Sequence, residues 1–331
     1  MKNQIKKKHP ISFLVVLLLS LVLTSQLFSI YANRLKGIGL GDREKALIAL
    51  SKESPNTIDV LVLGDSESFT SIEPMKIWAD MGIPLYNAGN ASATMFDAFT
   101  SFQKALSSQE PKLIILETNC LFMGHGRSEN MRALLRKKIG AHFSIFDYHN
   151  IWKNIYSKNN SNSWNRKKGF LFDNDVNACK DLSNYMKPTN NIEHIPLSNL
   201  LFLRLLQKEC ASKNIPLLLY SCPSPKNYTM KKHNALMEIS KKFNIRYIDL
   251  NTQRDKPNIN WNTDTFDRGD HLNISGAEKV TAYIEKQLLL YKLPDRRGSL
   301  AYSSWSNLAP TVINQSNTAI IQIRQKNLIE Y

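Results

Sequence analysis

A serine, a histidine and two carboxylates are the residues of this sequence best suited to chemistry. Ser66 directly follows the apolar run Val60-Leu61-Val62-Leu63 and the pair Gly64-Asp65. A serine hydroxyl at such a break can attack an acyl carbonyl once a base takes its proton. His271 is the candidate base, and a nearby carboxylate would orient its ring. Asp267 is favoured over Asp270 for that role, because side chains of adjacent residues generally diverge. Asp270, or a Ser–His dyad aided by a backbone carbonyl, stays open. Attack on a carbonyl builds a negative oxygen that needs donors. The Ser66 N–H, the Gly89 N–H and the Asn119 side chain are the candidates. Each residue alone has a plainer reading: Ser66 and Asn119 as caps, Gly89 as a turn glycine, His271 as one of seven histidines.

The elements that must position these residues favour the chemical reading. The run ending at Gly64 reads as a buried parallel strand. Asp65 and Ser66 then cap a helix expected to reach Met81. Ile83–Ala88 reads as a second strand, Ala93–Ser108 as a helix and Lys112–Glu117 as a third strand. Leu197–Ser212 reads as a helix, Ile215–Ser221 as a strand, Asn227–Phe243 as a helix and Ile245–Leu250 as a strand. Ser275–Tyr291 is the last helix of this series. The alternation implies a parallel sheet with right-handed crossovers. Gly89 and Asn119 then follow strands, as Ser66 does, and His271 precedes the final helix. In an open α/β sheet that edge is where ligands bind.

The 331 residues allow one large domain with an insertion, expected over about 121–195 and helical in part. Basic stretches at Arg132–Lys138 and Arg166–Lys168 fall inside it, as an acceptor surface, a lid or a solvated excursion. The tail, 293–331, ends in a strand-like run, Thr318–Ile323. Four cysteines show no C-x-x-C spacing, which argues against a zinc site or a redox pair. Cys120 and Cys222 end strands expected to be neighbours and are a candidate disulfide, with free buried thiols as the alternative.

Lys2, Lys6, Lys7 and Lys8 precede an uncharged apolar run, Ile11–Tyr31. As a helix rising ~1.5 Å per residue, this run spans roughly 30 Å, a bilayer's hydrocarbon thickness. Residues 1–31 therefore read as a basic leader and uncleaved anchor, with a cleaved signal peptide as the rival. Lysines ahead of the run place the amino terminus in the cytoplasm and the rest outside. Residues 32–56 read as a juxtamembrane stalk with a short helix. The formal net charge of +15 suits anionic partners such as phosphate-rich wall polymers, acidic polysaccharide or lipid headgroups. Nucleic acid is a poor fit to an extracytoplasmic domain.

The ordered blocks Gly64-Asp65-Ser66, Asn87-Ala88-Gly89, Glu117-Thr118-Asn119 and Asp270-His271-Leu272-Asn273 resemble those of the SGNH, or GDSL-type, hydrolase superfamily over about 57–292. The anchor, the Asp-His-Leu-Asn form and the tail Leu293-Pro294-Asp295-Arg296-Arg297-Gly298, with Tyr302 and Trp305, resemble a narrower group of membrane-anchored, DltD-like proteins of the bacterial envelope. The resemblance implies a three-layer α/β/α flavodoxin-like sheet, a serine nucleophile, no metal and no other cofactor. It implies an esterase or O-acyltransferase acting on an envelope polysaccharide, another acylated carbohydrate or a teichoic-acid-like polymer. A multi-span membrane O-acyltransferase is an expected partner. A catalytically silent module that binds polymer or scaffolds such an acyltransferase is the alternative. Two residues depart from the pattern. Glu117 stands where the family usually has glycine. Arg268 stands three residues before the histidine, where the family has its acid.

Overall fold

The computed structural model describes residues 10–34, 42–124, 166–252 and 256–329. The chain divides into two compact units, Met1–Lys45 with Arg127–Trp164, and Ala46–Gly126 with Asn165–Tyr331. In the first unit the helix α1 runs from Pro10 to Arg34. Its apolar side chains face outward, with Phe13 70 % and Leu27 65 % exposed. Among the described residues no helix is long and apolar enough to cross a membrane. The side chains described in α1 are those of Ser12–Leu27 and Ile30.

The second unit begins within α2, Asp42–Ser51, whose residues Ala46, Leu47, Ile48 and Leu50 are buried. A five-stranded sheet follows, built from β1 (Val60–Leu63), β2 (Leu85–Asn87), β3 (Leu113–Glu117), β6 (Leu217–Ser221) and β7 (Arg246–Asp249). The spatial order is β2-β1-β3-β6-β7, and every pairing is parallel. This doubly wound order reverses direction at β1 and β3, where the strand ends open a crevice. β1 and β3 are entirely buried, which is why Val60–Leu63 and Leu113–Leu116 are unbroken apolar runs.

Side chains alternate across the pleat. One face carries Val60, Val62, Leu113, Ile115 and Leu218, packed with Ile77 of α4 (Pro74–Met81) and with Val280 and Ile284 of α8 (Ile274–Leu288). Elsewhere α5 (Met95–Leu106) packs on α6 (Leu197–Ser212), with Phe99 and Phe202 ring centroids 5.8 Å apart. The remaining crossover helix is α7, Met230–Phe243.

Several expectations are corrected. The helix after Ser66 does not run to Met81. It breaks into α3 (Ser66–Ser71) and α4, because Ile72 turns extended and Pro74 starts a new helix at its N1 position. The Thr318–Ile323 stretch is not a strand; it lies in α9, Ser303–Ile329. The buried positions Trp305, Ala309, Val312, Ser316, Ala319, Ile320 and Ile323 recur at helical spacing along one stripe, against α4 and α8. A polar residue in that stripe hides the period: Ser316 is buried because its hydroxyl donates to Glu73 Oε1 at 2.6 Å. Ahead of α9, Arg296 clasps Asp59 through two bonds, Nε–Oδ2 2.7 Å and Nη2–Oδ1 3.1 Å, which fixes the tail to the sheet.

The Cys120–Cys222 bridge does not form; both thiols are free and buried, as are Cys179 and Cys210. β3 and β6 are neighbours, but a 3₁₀ turn at Asn119–Leu121 swings Cys120 toward Met95, Sγ to Sδ 3.5 Å. In the 121–195 region the described part holds a two-stranded hairpin, β4 (Arg166–Lys167) with β5 (Phe170–Leu171), then loops and turns without a helix. Residues 125–165, including the basic stretch Arg132–Lys138, lie outside the described residues. Arg166–Lys168 is not an open basic patch. Arg166 and Lys168 are buried, and Lys168 Nζ pairs with Glu53 Oε2 at 2.7 Å.

Candidate active site

Ser66 is the first residue of α3, at the carboxyl end of β1. Asp65 caps the helix, its Oδ1 accepting the Glu67 N–H at 3.0 Å. Gly64 has φ +142°, and a Cβ there would lie 2.6 Å from Glu117 Cβ. The turn therefore demands glycine, and it leaves Ser66 half-buried while its neighbours are buried. As the first residue of a helix, Ser66 has an N–H with no acceptor inside that helix.

The loop after β2 is pressed onto α3. Asn87 Nδ2 donates to the Ser68 carbonyl at 2.6 Å. A Cβ on Gly89 would lie only 1.9 Å from Ser68 Oγ, so glycine is what lets this loop approach. The Gly89 N–H is bound only loosely, to Asn87 Oδ1 at 3.4 Å. Its carbonyl accepts from Arg166 Nη1 at 3.1 Å, and the Arg166 guanidinium lies 3.5 Å from the Phe69 ring centroid.

Asn119 follows β3 and is held on three sides. Its N–H donates to Glu117 Oε2 at 2.9 Å, its Nδ2 to Asp65 Oδ2 at 2.7 Å, and its Oδ1 accepts from Lys232 Nζ at 2.7 Å. Nδ2 carries two hydrogens, and the bond to Asp65 uses one.

His271 sits on the loop before α8. Asp267 takes both of its nearby donors: the backbone N–H at 2.6 Å and Nδ1 at 2.5 Å. Asp270 Oδ1 is 3.9 Å from Nδ1 and accepts instead from Asn227 Nδ2 at 2.7 Å. The reason lies between them. Arg268 (φ +66°) and Gly269 (φ +84°) are consecutive left-handed residues, and they coil the chain so that Asp267 folds back under the imidazole. Arg268 thus occupies a turn. Phe266 stacks on the imidazole, centroids 5.6 Å apart and planes 8° off parallel. With Nδ1–H committed to Asp267, the lone pair resides on Nε2, which is buried and has no partner among the described residues. Nε2 and Ser66 Oγ are therefore not hydrogen-bonded.

Burial lowers the His271 pKa, but Asp267, with Asp270 and Asp65 behind it, outweighs burial and raises it overall. Burial opposes ionisation of Asp267, but the bonds from His271 win and hold its carboxyl below the usual range.

Sequence reasoning marked Glu117 only as a departure from the family pattern and missed Glu67, Asn227, Tyr228 and Lys232 beside it. Glu67 and Glu117 are fully buried beside Asp65, and burial first, then mutual repulsion, drives both glutamates well above the ordinary carboxylate range. Asp65 is raised too, by burial, against bonds from Asn119 and Glu67. Glu117 is met by Tyr228 O–H at Oε1, and Glu67 Oε1 by Asn227 Nδ2. Burial lowers the Lys232 pKa. An acid in a helix's first turn is ordinary at the surface. Nothing local in the sequence marks Glu67 as buried, and Asn227 and Lys232 are distant in the chain.

No protein-family model matches this chain, and no curated protein does. Solved structures with a similar outline include three described as follows. A Desulfitobacterium hafniense DCB-2 protein described as lipolytic, of the G-D-S-L family, shares 15 % identity, with 70 % of this chain and 99 % of its own covered and a TM-score of 0.38. A Bacteroides fragilis NCTC 9343 protein described as an acylhydrolase shares 12 %, with 74 % and 93 % covered and a TM-score of 0.36. A Parabacteroides merdae ATCC 43184 protein described as a GDSL-like lipase shares 11 %, with 72 % and 99 % covered and a TM-score of 0.35. Likeness at this level decides nothing about the chemistry, which rests on the geometry above.

Proposed function

We propose that this chain is an SGNH-type serine acyl-transfer enzyme, anchored in the membrane by its amino-terminal helix and acting outside the cytoplasm on an envelope polysaccharide or teichoic-acid-like polymer. The observation that carries the reading is the Asp267–His271 pair, whose Nε2 is uncommitted at the sheet edge where Ser66 begins α3. Ser66 Oγ attacks the acyl carbonyl carbon while Nε2 takes its proton. Asp267 stabilises the imidazolium so formed. The oxyanion is received by the Ser66 and Gly89 N–H groups and the second Nδ2 hydrogen of Asn119. Nε2 then returns the proton to the leaving alcohol. The acyl-serine passes to water in an esterase, or to a polymer hydroxyl in an O-acyltransferase. The exposed apolar face of α1 and the lysines before it support the anchor. The charge of +15 supports an anionic polymer, and the DltD-like tail supports transfer and a membrane O-acyltransferase partner.

One observation favours the second reading, a silent polymer-binding or scaffolding module: Nε2 does not bond Ser66 Oγ. Apo sites often tighten only with substrate. A fluorophosphonate probe separates the two readings. The enzyme reading expects Ser66 to be labelled, and Ser66→Ala and His271→Ala each to abolish the label. Acyl groups appearing on added polysaccharide at the expense of ester hydrolysis identify transfer. Absence of label, with normal envelope acylation in Ser66→Ala cells, replaces the enzyme by the module.

A further inference from the structure

The residue after Ser66 is the most unusual one in the site. Glu67 is fully buried, and its Oε2 has no partner among the described residues. His271 Nε2 shares that condition. A buried carboxylate oxygen and a buried imidazole nitrogen, both unsatisfied, are costly unless something else occupies the space they face. The acyl-transfer mechanism uses Nε2 but has no task for Glu67.

One donor atom each from Glu67, Asp270 and His271 lie within 4.8 Å of one another. Two donors on a tetrahedral zinc, each bonded at ~2.1 Å, are about 3.4 Å apart. The three donor groups therefore need to close by up to about 1.4 Å, with the imidazole presenting its uncommitted Nε2, to share one ion. Asp270 is partly exposed and lies on a loop, so it can supply that movement. Asn227 offers a fourth donor. Its Nδ2 bonds Glu67 Oε1 and also Asp270 Oδ1, the latter at 2.7 Å. Turning the amide over presents Oδ1 to the same space, and the two orientations have the same shape. The set is then two carboxylates, one imidazole and one amide oxygen, a mixture that suits Zn²⁺ or Co²⁺ rather than soft or strictly oxygen-liking ions.

We propose that Glu67, Asp270 and His271, with Asn227 as the fourth donor, form a divalent transition-metal site that switches the enzyme off. The ion takes the Nε2 lone pair, so Nε2 cannot accept the Ser66 proton while the metal stays bound. The switch rests on the acyl-transfer reading, but the metal site itself does not. The Nδ1–Asp267 bond is the kind of outer partner that orients an imidazole for a metal as well as for catalysis.

The test uses the purified full chain in detergent, titrated with Co²⁺ and followed by its visible absorption, with Zn²⁺ as competitor. The expected result is one Co²⁺ per chain in a tetrahedral-type spectrum, displaced by Zn²⁺. Loss of one ligand, in Glu67→Gln or separately in Asp270→Asn, should weaken binding by at least about tenfold. Asp270→Asn covers the case in which the buried Glu67→Gln does not fold, and thermal midpoints report folding of both. Zn²⁺ should protect Ser66 from the fluorophosphonate, and a chelator should restore labelling. Absence of the spectrum, or equal affinity in folded variants and wild type, overturns the site. A bridging water then accounts for the two buried atoms. Cobalt binding that depends on these residues, in a chain whose Ser66 is never labelled, keeps the metal site and overturns the acyl-transfer reading instead. Labelling that Zn²⁺ does not slow, despite metal-dependent spectra, overturns the switch.

Discussion

Asp267→Asn and Asp270→Asn form a pair of nearly equal chemical changes with unequal expected outcomes. Asp267 accepts from His271 twice, from its backbone N–H at 2.6 Å and from Nδ1 at 2.5 Å. In Asp267→Asn an amide replaces the carboxylate, and the charge facing the imidazolium is lost. The amide can also present an N–H to Nδ1, which places the ring's proton on Nε2, where the lone pair is needed. Wrong tautomer and lost charge together cost ~10⁴-fold in the best-studied serine triad. Here Asp267 is half-buried, so solvent carries part of the burden. A fall of about 10³–10⁴-fold is expected, which is about 4–5.5 kcal/mol of transition-state stabilisation. Asp270 lies 3.9 Å from Nδ1 and is bonded to Asn227. Its substitution removes a charge without touching the tautomer, and about a threefold fall is expected, since exposed charges act weakly through solvent. The assay is kcat/KM on a short-chain p-nitrophenyl ester with a chelator present, backed by the rate of fluorophosphonate labelling. A larger loss in Asp270→Asn would refute the assignment of Asp267. Small, equal losses would leave a dyad.

Three further outcomes are expected. Ser66→Ala should abolish ester hydrolysis while thermal unfolding shifts little, because Asp65 and not Ser66 caps α3; a collapse of the fold would instead make Ser66 structural. Gly89→Ala should cost about 1–3 kcal/mol in denaturant unfolding, since its Cβ would lie 1.9 Å from Ser68 Oγ and 2.9 Å from the Asp65 carbonyl; a neutral result would mean that α3 gives way easily. Stability should fall as pH rises through about 7, because burial lifts Glu73 to that value from an unfolded value near 4.5. Glu73 protonated favours the fold fully below its unfolded pKa, and that contribution is lost as pH climbs through the folded one. Glu73→Gln, scanned by urea from pH 5 to 9, should flatten this fall; an unchanged slope would clear Glu73.

How much of this was legible follows from where the forces act. β1 and β3 carry their burial in consecutive residues, so Val60–Leu63 and Leu113–Glu117 mark themselves, and the parallel order follows from alternation with helices. The strand ends then place Ser66, Gly89 and Asn119 at one edge without further information. Asp267 was reachable only as a preference, because its return to His271 depends on two left-handed residues, Arg268 and Gly269, and only the glycine advertises that conformation. The α9 stripe does not read as a helix in the sequence because it includes Ser316, whose burial is licensed by Glu73, which lies far away in the sequence. Glu67, Tyr228, Asn227 and Lys232 do not show themselves for the same reason, each being tolerable in the interior only through partners from other segments, and Glu117 shows itself only as a departure from a pattern. Glu117 makes the point most fully. Beside Gly64 its carboxyl binds the Asn119 N–H and the Tyr228 hydroxyl, and it lies next to Asp65. An acid where the resemblance leads one to expect glycine therefore packs against the turn that carries Ser66 and holds the asparagine proposed to receive the oxyanion. What reads in the sequence as a defect in the motif is, in the folded chain, a support that the remaining motif leans on.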